Sequence, residues 1–367
     1  MGLSLFEKNK RPELFGIIAI VALVALFIFL FFMPPDQDLK KLQVAAVIPL
    51  TGPVGVIGED FMKGMEFAME KYDMDFELVV EDSQSQAKTG ITSAKKLLDT
   101  REVDVLVSLQ SSISIPLISL AEEYDKPLIS SFVSNDEFAG KSKNAFRLFT
   151  ASGKYAALAG KFADSQGFED VSIITLMDEY GQSMKEQFKK NFSGTIVHEE
   201  SFEIPNTDFR TPLTKAMDSD AIYFIGFASH NTNVLKQRKE LGSEITLIAS
   251  MDTMTAFVRN EVGPLLDNIY AAGPESMIEN ERTKQFYKEF KAKYGKKPDV
   301  GATFGYDLAL VLDAIDKNNK TPIEALNEIE IEGMNGTISF DSEGEINIEL
   351  VIVEAQDGEV EIVDFVI

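Results

Sequence analysis

The chain has 367 residues, 35 Lys and Arg against 59 Asp and Glu, a formal charge of -24, two histidines and no cysteine. That charge excludes nucleic acid as a partner, since phosphate binding rests on clustered Lys and Arg. The absence of thiols excludes a disulfide framework, a cysteine nucleophile, thiolate metal sites and lipid attachment through cysteine.

Residues Leu14 to Met33 read LFGIIAIVALVALFIFLFFM without a charge, and about 20 apolar residues cross a bilayer as a helix. A secretory signal has an apolar core of only about 7–15 residues followed by small residues at the cleavage site. Here Phe31, Phe32 and Met33 run straight into Pro34 and Pro35, which predicts an uncleaved transmembrane anchor, with a long signal peptide as the alternative. Lys8, Lys10 and Arg11 precede the span. Their charge puts the N-terminus in the cytoplasm and everything after Pro34 on the extracellular or periplasmic side. The expected boundaries are a tail over 1–13, the anchor over 14–33 and a linker over 34–42.

About 330 residues remain, more than one core comfortably serves and suited to two lobes. Apolar runs of strand length alternate with amphipathic runs of helix length, the pattern of βαβ units and a mainly parallel sheet. The first half predicts strands at Gln43–Leu50, Phe76–Glu81, Val103–Leu109 and Pro127–Val133, with helices at Gly58–Tyr72, Ala87–Thr100 and Ile113–Tyr124. The second half repeats the scheme with strands at Val171–Met177, Thr195–Phe202, Asp220–Phe227 and Glu244–Ala249 and helices at Gln182–Asn191, Phe209–Met217 and Thr232–Leu241. Two long helical stretches follow, Glu281–Tyr294 and Ala302–Lys317, and then a β-rich tail from Gly336 to Ile367. Such a tail does not continue a doubly wound module and must pack on something already built.

In sheets of this kind ligands bind outside the carboxyl ends of the strands. The loop after the first strand, PLTGPVGVIGEDF, carries glycines that admit close backbone approach but matches neither a dinucleotide fingerprint nor a Walker A motif. The third strand ends in SLQSSISIP, so Ser111 and Ser112 fall where a helix begins. Hydroxyls and free N–H groups there can hold a carboxylate, although the same serines could be plain N-caps. The fourth strand leads into SSFVSNDEF, a second polar loop on the same edge.

From Gln43 onward the chain resembles the type I periplasmic binding proteins of the leucine/isoleucine/valine-binding branch. The resemblance rests on VAAVIPLTGPVGVIGEDFMKG, LVVEDSQSQAKTGITSAKKLL, LMDEYGQS, DFRTPLTKAMDSDAIYFIGF and YGKKPDVGATFGYDLALVLDAI in the family's order. It implies a Venus flytrap of two α/β lobes joined by three crossovers. The lobe boundaries are then 43–151 for lobe 1, 152–272 for lobe 2, 273–335 for a return to lobe 1 and 336–367 for the last crossover and terminal strands, mainly in lobe 2.

The resemblance also implies a site. Ser111, with Ser112 and the helix start beside it, takes the family's α-carboxylate grip; the Phe132 carbonyl and Ser134 hydroxyl take its ammonium contacts. Tyr180 and Phe227 match positions of aromatics over the ligand; taken without the family, each reads first as core packing. The acidic ammonium partner falls in ASMDTMTAF, where Met251 occupies the position and Asp252 lies beside it; Tyr306 in FGYDLAL is expected at the cleft, with a buried helix residue as its other reading.

Catalysis has little to draw on, because His198 and His230 lack ligand-like spacing and the carboxylates are scattered. The expectation is a non-enzymatic receptor with no cofactor or metal. It captures an amino acid, branched-chain or related, and hands it to the permease subunits of an ATP-driven (ABC) importer. The alternatives are a sensing or interaction receptor without transport and a binder of an amide or other small polar solute.

Overall fold

The computed structural model describes residues 40–254, 256–274, 280–298, 300–356 and 359–363. The anchor expected over residues 14–33 lies outside the described residues, and among these no helix is long and apolar enough to cross a membrane.

The first lobe is built on five parallel strands, β1 (Gln43–Ile48), β2 (Glu77–Asp82), β3 (Val105–Leu109), β4 (Leu128–Ser131) and β5 (Ala145–Arg147), in the order β2-β1-β3-β4-β5. Helices α1 (Gly55–Tyr72), α2 (Ala87–Thr100) and α3 (Ser111–Glu123) connect the first four strands. Strand β1 shows why its sequence is apolar from Val44 to Ile48. Val44, Ala46 and Ile48 enter one core with Phe61 and Met65 of α1, while Ala45 and Val47 enter the other with Leu97 of α2 and Leu117 of α3. A strand covered on both faces has no polar side to show.

The second lobe runs through α4 (Ser152–Ser165), β6 (Asp170–Leu176), α5 (Glu179–Asn191), β7 (Thr195–Phe202), α6 (Arg210–Ala216), β8 (Ala221–Ile225), α7 (Ala228–Glu240) and β9 (Thr246–Ala249). A 3-10 turn at Met251–Met254, α8 (Ala256–Val262) and β10 (Ile269–Pro274) follow. The chain then returns with α9 (Glu281–Tyr294), α10 (Val300–Asp316), α11 (Pro322–Glu328) and the hairpin β11 (Ile331–Glu332) and β12 (Thr337–Ile338). Phe286, Leu308, Leu312, Leu326 and Ile338 from this stretch lie in the core of the first lobe. The final strands, β13 (Leu350–Gln356) and β14 (Glu359–Val363), complete the second sheet, whose order is β14-β13-β10-β9-β8-β6-β7. Strands β6 to β10 are mutually parallel, β13 runs antiparallel to β10, and β14 runs antiparallel to β13.

Helices α1 and α10 cross so closely that a Cβ on Gly305 would collide with the Phe61 carbonyl oxygen, and one on Gly64 with the carbonyl oxygen of Ala302. Where the chain leaves the first sheet, buried Arg147 donates from Nε to Glu345 Oε1 at 2.5 Å, bridging two segments 198 residues apart in sequence. Glu345 also pairs with Lys154 of α4 at 3.3 Å. One carboxylate therefore holds the end of the first sheet, the last crossover and the start of the second lobe together.

Candidate functional site

On the first lobe the candidate residues sit where β3 and β4 end. Helix α3 starts at Ser111, two residues earlier than its apolar periodicity predicts, and its N-cap is Gln110, in an unusual conformation (φ 75°, ψ 133°) that makes no side-chain cap bond. Ser111 and Ser112 are therefore first-turn residues, not caps; of the N–H groups that such an end leaves without i−4 partners, those of Gln110 and Ile113 bond the carbonyls of Ser131 and Gln110, each at 3.1 Å. Ser114 is different: its hydroxyl bonds Ser108 at 2.7 Å, which bonds Ser130 at 2.8 Å, a buried internal network. At the same edge Gln110 Oε1 and Ser131 Oγ are buried without a hydrogen-bond partner, polar capacity that native interiors seldom leave open.

The loop after β4 turns at Phe132, whose φ of 55° is left-handed, a conformation few non-glycine residues adopt. The Phe132 ring packs 5.2 Å from both Phe149 and Phe304. The loop is held from below, since Arg147 Nη1 donates to the carbonyls of Val133 (3.1 Å) and Asn135 (2.6 Å) and the Ser134 carbonyl accepts from the N–H and hydroxyl of Ser152, each at 3.1 Å. Asn135 N donates to Ser111 Oγ at 3.4 Å, which joins the two loops. Arg147 escaped the sequence reading, although a lone arginine within the apolar run NAFRLF was its signal.

On the second lobe the candidates follow β6, β8 and β9, which are neighbours in the sheet. Asp178 caps α5 by accepting from Gly181 N at 2.8 Å, which places Tyr180 in the first turn. Tyr180 stacks on Phe227 at 5.9 Å and 17°, and Phe227, the N-cap of α7, is held 39% exposed. Ser250 ties the region together: it donates to the Gly226 carbonyl (2.6 Å), accepts from Asn231 Nδ2 (3.2 Å) and shares a hydrogen bond with Tyr180. Two residues later Asp252 is pushed up to about 6, chiefly by burial, with its own backbone N–H opposing the rise. Its charge reaches Tyr180 and Tyr155: burial first and then Asp252 push the Tyr180 hydroxyl well up, and the Tyr155 hydroxyl rises to about 12, mainly through burial. Tyr155, in the first turn of α4, was not foreseen.

Two hydrogen bonds to Asp136 join the two groups. Asp136, at the end of the Phe132–Asn135 loop, accepts from Ser183 Oγ of α5 at 2.9 Å and from Gly153 N of α4 at 3.4 Å.

Tyr306 does not belong with these residues. It is 2% exposed in the first lobe's core, its ring 5.2 Å from that of Phe286, and its hydroxyl lies 2.7 Å from that of Tyr72. Tyr72 ends α1, the helix whose start lies at the carboxyl edge. The expected cleft position therefore fails, because Tyr306 is two turns into α10 and directed towards the opposite end of the lobe.

The glycine loop after β1 is likewise taken up internally. Asp82 accepts from the Thr51 hydroxyl at 2.6 Å and from the N–H groups of Gln84 (2.8 Å), Leu50 (2.9 Å) and Thr51 (3.2 Å). Burial pushes this carboxyl up, but those donors outweigh it and hold it below its ordinary range. A separate recess of about 690 Å³ between the start of α9 and the β11–β12 hairpin, lined in part by Asn280, Arg282, Glu332 and Asn347, includes none of the candidate residues.

Two mainly parallel α/β lobes, crossed repeatedly by one chain and carrying hydroxyl, aromatic and carboxylate groups on their carboxyl edges, define a two-lobed solute-binding protein. The chain belongs to the periplasmic binding protein family, whose model matches residues 41–359, and is of type I, in the leucine/isoleucine/valine-binding branch. It is similar to a Leu/Ile/Val-binding protein homolog of Brucella suis, 22% identical over 361 residues and covering 91% of this chain and 93% of that protein. Among solved structures it resembles the branched-chain amino acid transporter substrate-binding protein of Streptococcus pneumoniae in complex with isoleucine, with a TM-score of 0.72, 21% identity and coverage of 88% and 99%. It also resembles a Rhodopseudomonas palustris solute-binding protein in complex with benzoate, with a TM-score of 0.72, 21% identity and coverage of 88% and 95%. The relatives are substrate-binding proteins, and this chain is a binder, not an enzyme.

Proposed function

We propose that this chain is an extracytoplasmic receptor, tethered by residues 14–33, that captures an amino acid, branched-chain or related, and delivers it to the permease subunits of an ABC importer. The observation that carries the reading is the division of chemistry between the lobes. The α3 start with Ser111 and Ser112 offers hydroxyl and N–H donors to a carboxylate, while Asp252 beside Tyr180 and Phe227 offers an anion and aromatic faces to an ammonium group. The Phe132 carbonyl and Ser134 hydroxyl would complete the ammonium contacts from the first lobe. The names of the relatives support an amino acid and an importer, and the uncharged apolar run supports the tether.

A second reading is a small carboxylate without an amino group. The benzoate complex of a structural neighbour favours it, since a carboxyl lifted to about 6 needs no cation to neutralise it at mildly acid pH. Thermal unfolding of the full chain against amino acids, amides and small carboxylates separates the readings, because a ligand at about 100 times its Kd adds roughly 2.7 kcal/mol. Stabilisation by isoleucine and its relatives that is lost in Ser111→Ala and in Asp252→Asn supports the first reading. Stabilisation by benzoate alone supports the second, and silence across the panel sinks both.

A further inference from the structure

His198 lies on β7, with Nε2 3.1 Å from Glu200 Oε2. His230 is placed differently: it is 3% exposed, in the first turn of α7, one turn behind the candidate wall. Its Nδ1 accepts from the Phe227 N–H at 3.1 Å, and its Nε2 lies 2.8 Å from the carbonyl oxygen of Ile204. A carbonyl only accepts and a backbone N–H only donates, so these two partners select the neutral Nε2–H tautomer.

The ring is also part of a stack. His230 lies 5.8 Å from Phe227 at 29°, and Phe227 lies 5.9 Å from Tyr180 at 17°. Behind it Phe202 and Phe209 approach edge-on at 5.1 and 6.2 Å. Three stacked rings thus run from the carboxyl edge into the core of the second lobe. The backbone leaves room for this: a Cβ on Gly226 would lie 3.0 Å from the His230 Cβ and 2.9 Å from the Phe224 ring. From the other side Asn231 Nδ2 reaches the Phe227 carbonyl at 3.2 Å.

The residue three beyond an N-cap commonly returns a hydrogen bond to the cap's N–H, usually from a flexible Glu or Gln. Here a rigid ring, pinned at both nitrogens, makes that bond. With Phe227 39% exposed, its direction rests on the stack with Tyr180 on one side and on the His230 bond and stack on the other.

We infer that His230 is a positioning residue for solute binding: as the neutral Nε2–H imidazole it fixes the Phe227 backbone and ring against Tyr180, and so sets the aromatic wall that a bound solute meets. This rests on the solute-binding reading of that edge.

The test uses the full chain, with isoleucine and benzoate as probes, and two variants. His230→Gln keeps an acceptor and a donor; His230→Leu keeps bulk and removes both. In the ligand-free protein, nitrogen NMR is expected to show the proton on Nε2. The Phe227 amide is expected to be protected from exchange in the wild type and His230→Gln, and to exchange at least about tenfold faster in His230→Leu while the β6 and β8 amides do not change. Affinity for whichever probe the wild type binds should stay within about threefold in His230→Gln and fall about tenfold in His230→Leu. A proton on Nδ1, an equally protected amide in His230→Leu, or full affinity with the amide exposed each overturns the inference. If His230→Leu fails to fold, the wild-type tautomer and the His230→Gln exchange and affinity decide it. If the wild type binds neither probe, the solute reading has failed instead, and the exchange data alone judge the coupling of His230 to Phe227.

Discussion

Acidification is expected to weaken binding of an amino acid through one group, Asp252. In the free protein its carboxyl stands at about 6 against an ordinary 3.8, because burial disfavours the charge. A raised carboxyl contributes stability that is complete below the ordinary value and lost as pH rises through the folded one. The free chain should therefore gain stability between pH 6 and pH 4, by at most about 3 kcal/mol and less after discounting the partial exposure of Asp252. Asp307, lifted to about 6 by its own burial, acts in the same direction, so Asp252→Asn is needed to isolate the share. Binding an ammonium group reverses the preference and returns Asp252 towards its ordinary range, with release of a proton. By linkage the affinity then falls about tenfold from pH 7 to pH 5 and about fiftyfold by pH 4. Calorimetric titration with isoleucine in buffers of different ionisation enthalpy measures both affinity and proton release. Affinity independent of pH between 7 and 5, or an unchanged slope in Asp252→Asn, would refute the pairing.

Other substitutions separate the site from its scaffold. Tyr306→Phe removes the bond to Tyr72 and should cost about 1 kcal/mol of stability by denaturant titration, with solute affinity unaltered. Gly305→Ala drives a Cβ into the Phe61 carbonyl, so α1 and α10 must part; a loss of about 2–3 kcal/mol is expected, read as a lower melting temperature. Asp136→Ala removes the hydrogen bonds from Ser183 and Gly153 across the lobes. It should weaken solute binding by up to about fivefold, with little effect on the stability of the free chain.

The strands and long helices were legible because β8 is a continuous apolar run, β1, β3 and β6 are mostly apolar, and α1 and α9 have clear helical spacing. Helix α4 was missed. Its sequence, SGKYAALAGKFADS, has two glycines, and Gly160 is there because a Cβ would press on the Phe188 carbonyl oxygen at 2.8 Å, a requirement of packing that propensity does not reveal. The three-residue β5 was too short to register, although it carries Arg147. At the site, motif position located Ser111, Phe132, Tyr180, Phe227 and Asp252 on strand ends, because loops follow strands in order. It could not orient a side chain within a helix, which is how Tyr306 was misplaced. Nor could it find Tyr155 or Ser250, whose roles come from neighbours distant in sequence.

The interleaving of the lobes bears on the order in which the chain can fold during synthesis. Helices α9 and α10, which cover one face of the first sheet, come after the parallel strands of the second, and β13, which pairs with β10, comes after both. A nascent chain that has made every parallel strand still has an uncovered apolar face on one lobe and an open strand edge on the other. The first lobe cannot reach its final stability until α9 and α10 emerge, nor the second until the last strands do, so an early collapse of the first half would be reversible and exposed to misassociation. Shortening the chain to end before Leu350 should therefore abolish cooperative folding of the whole body, although the strands removed carry none of the candidate ligand residues.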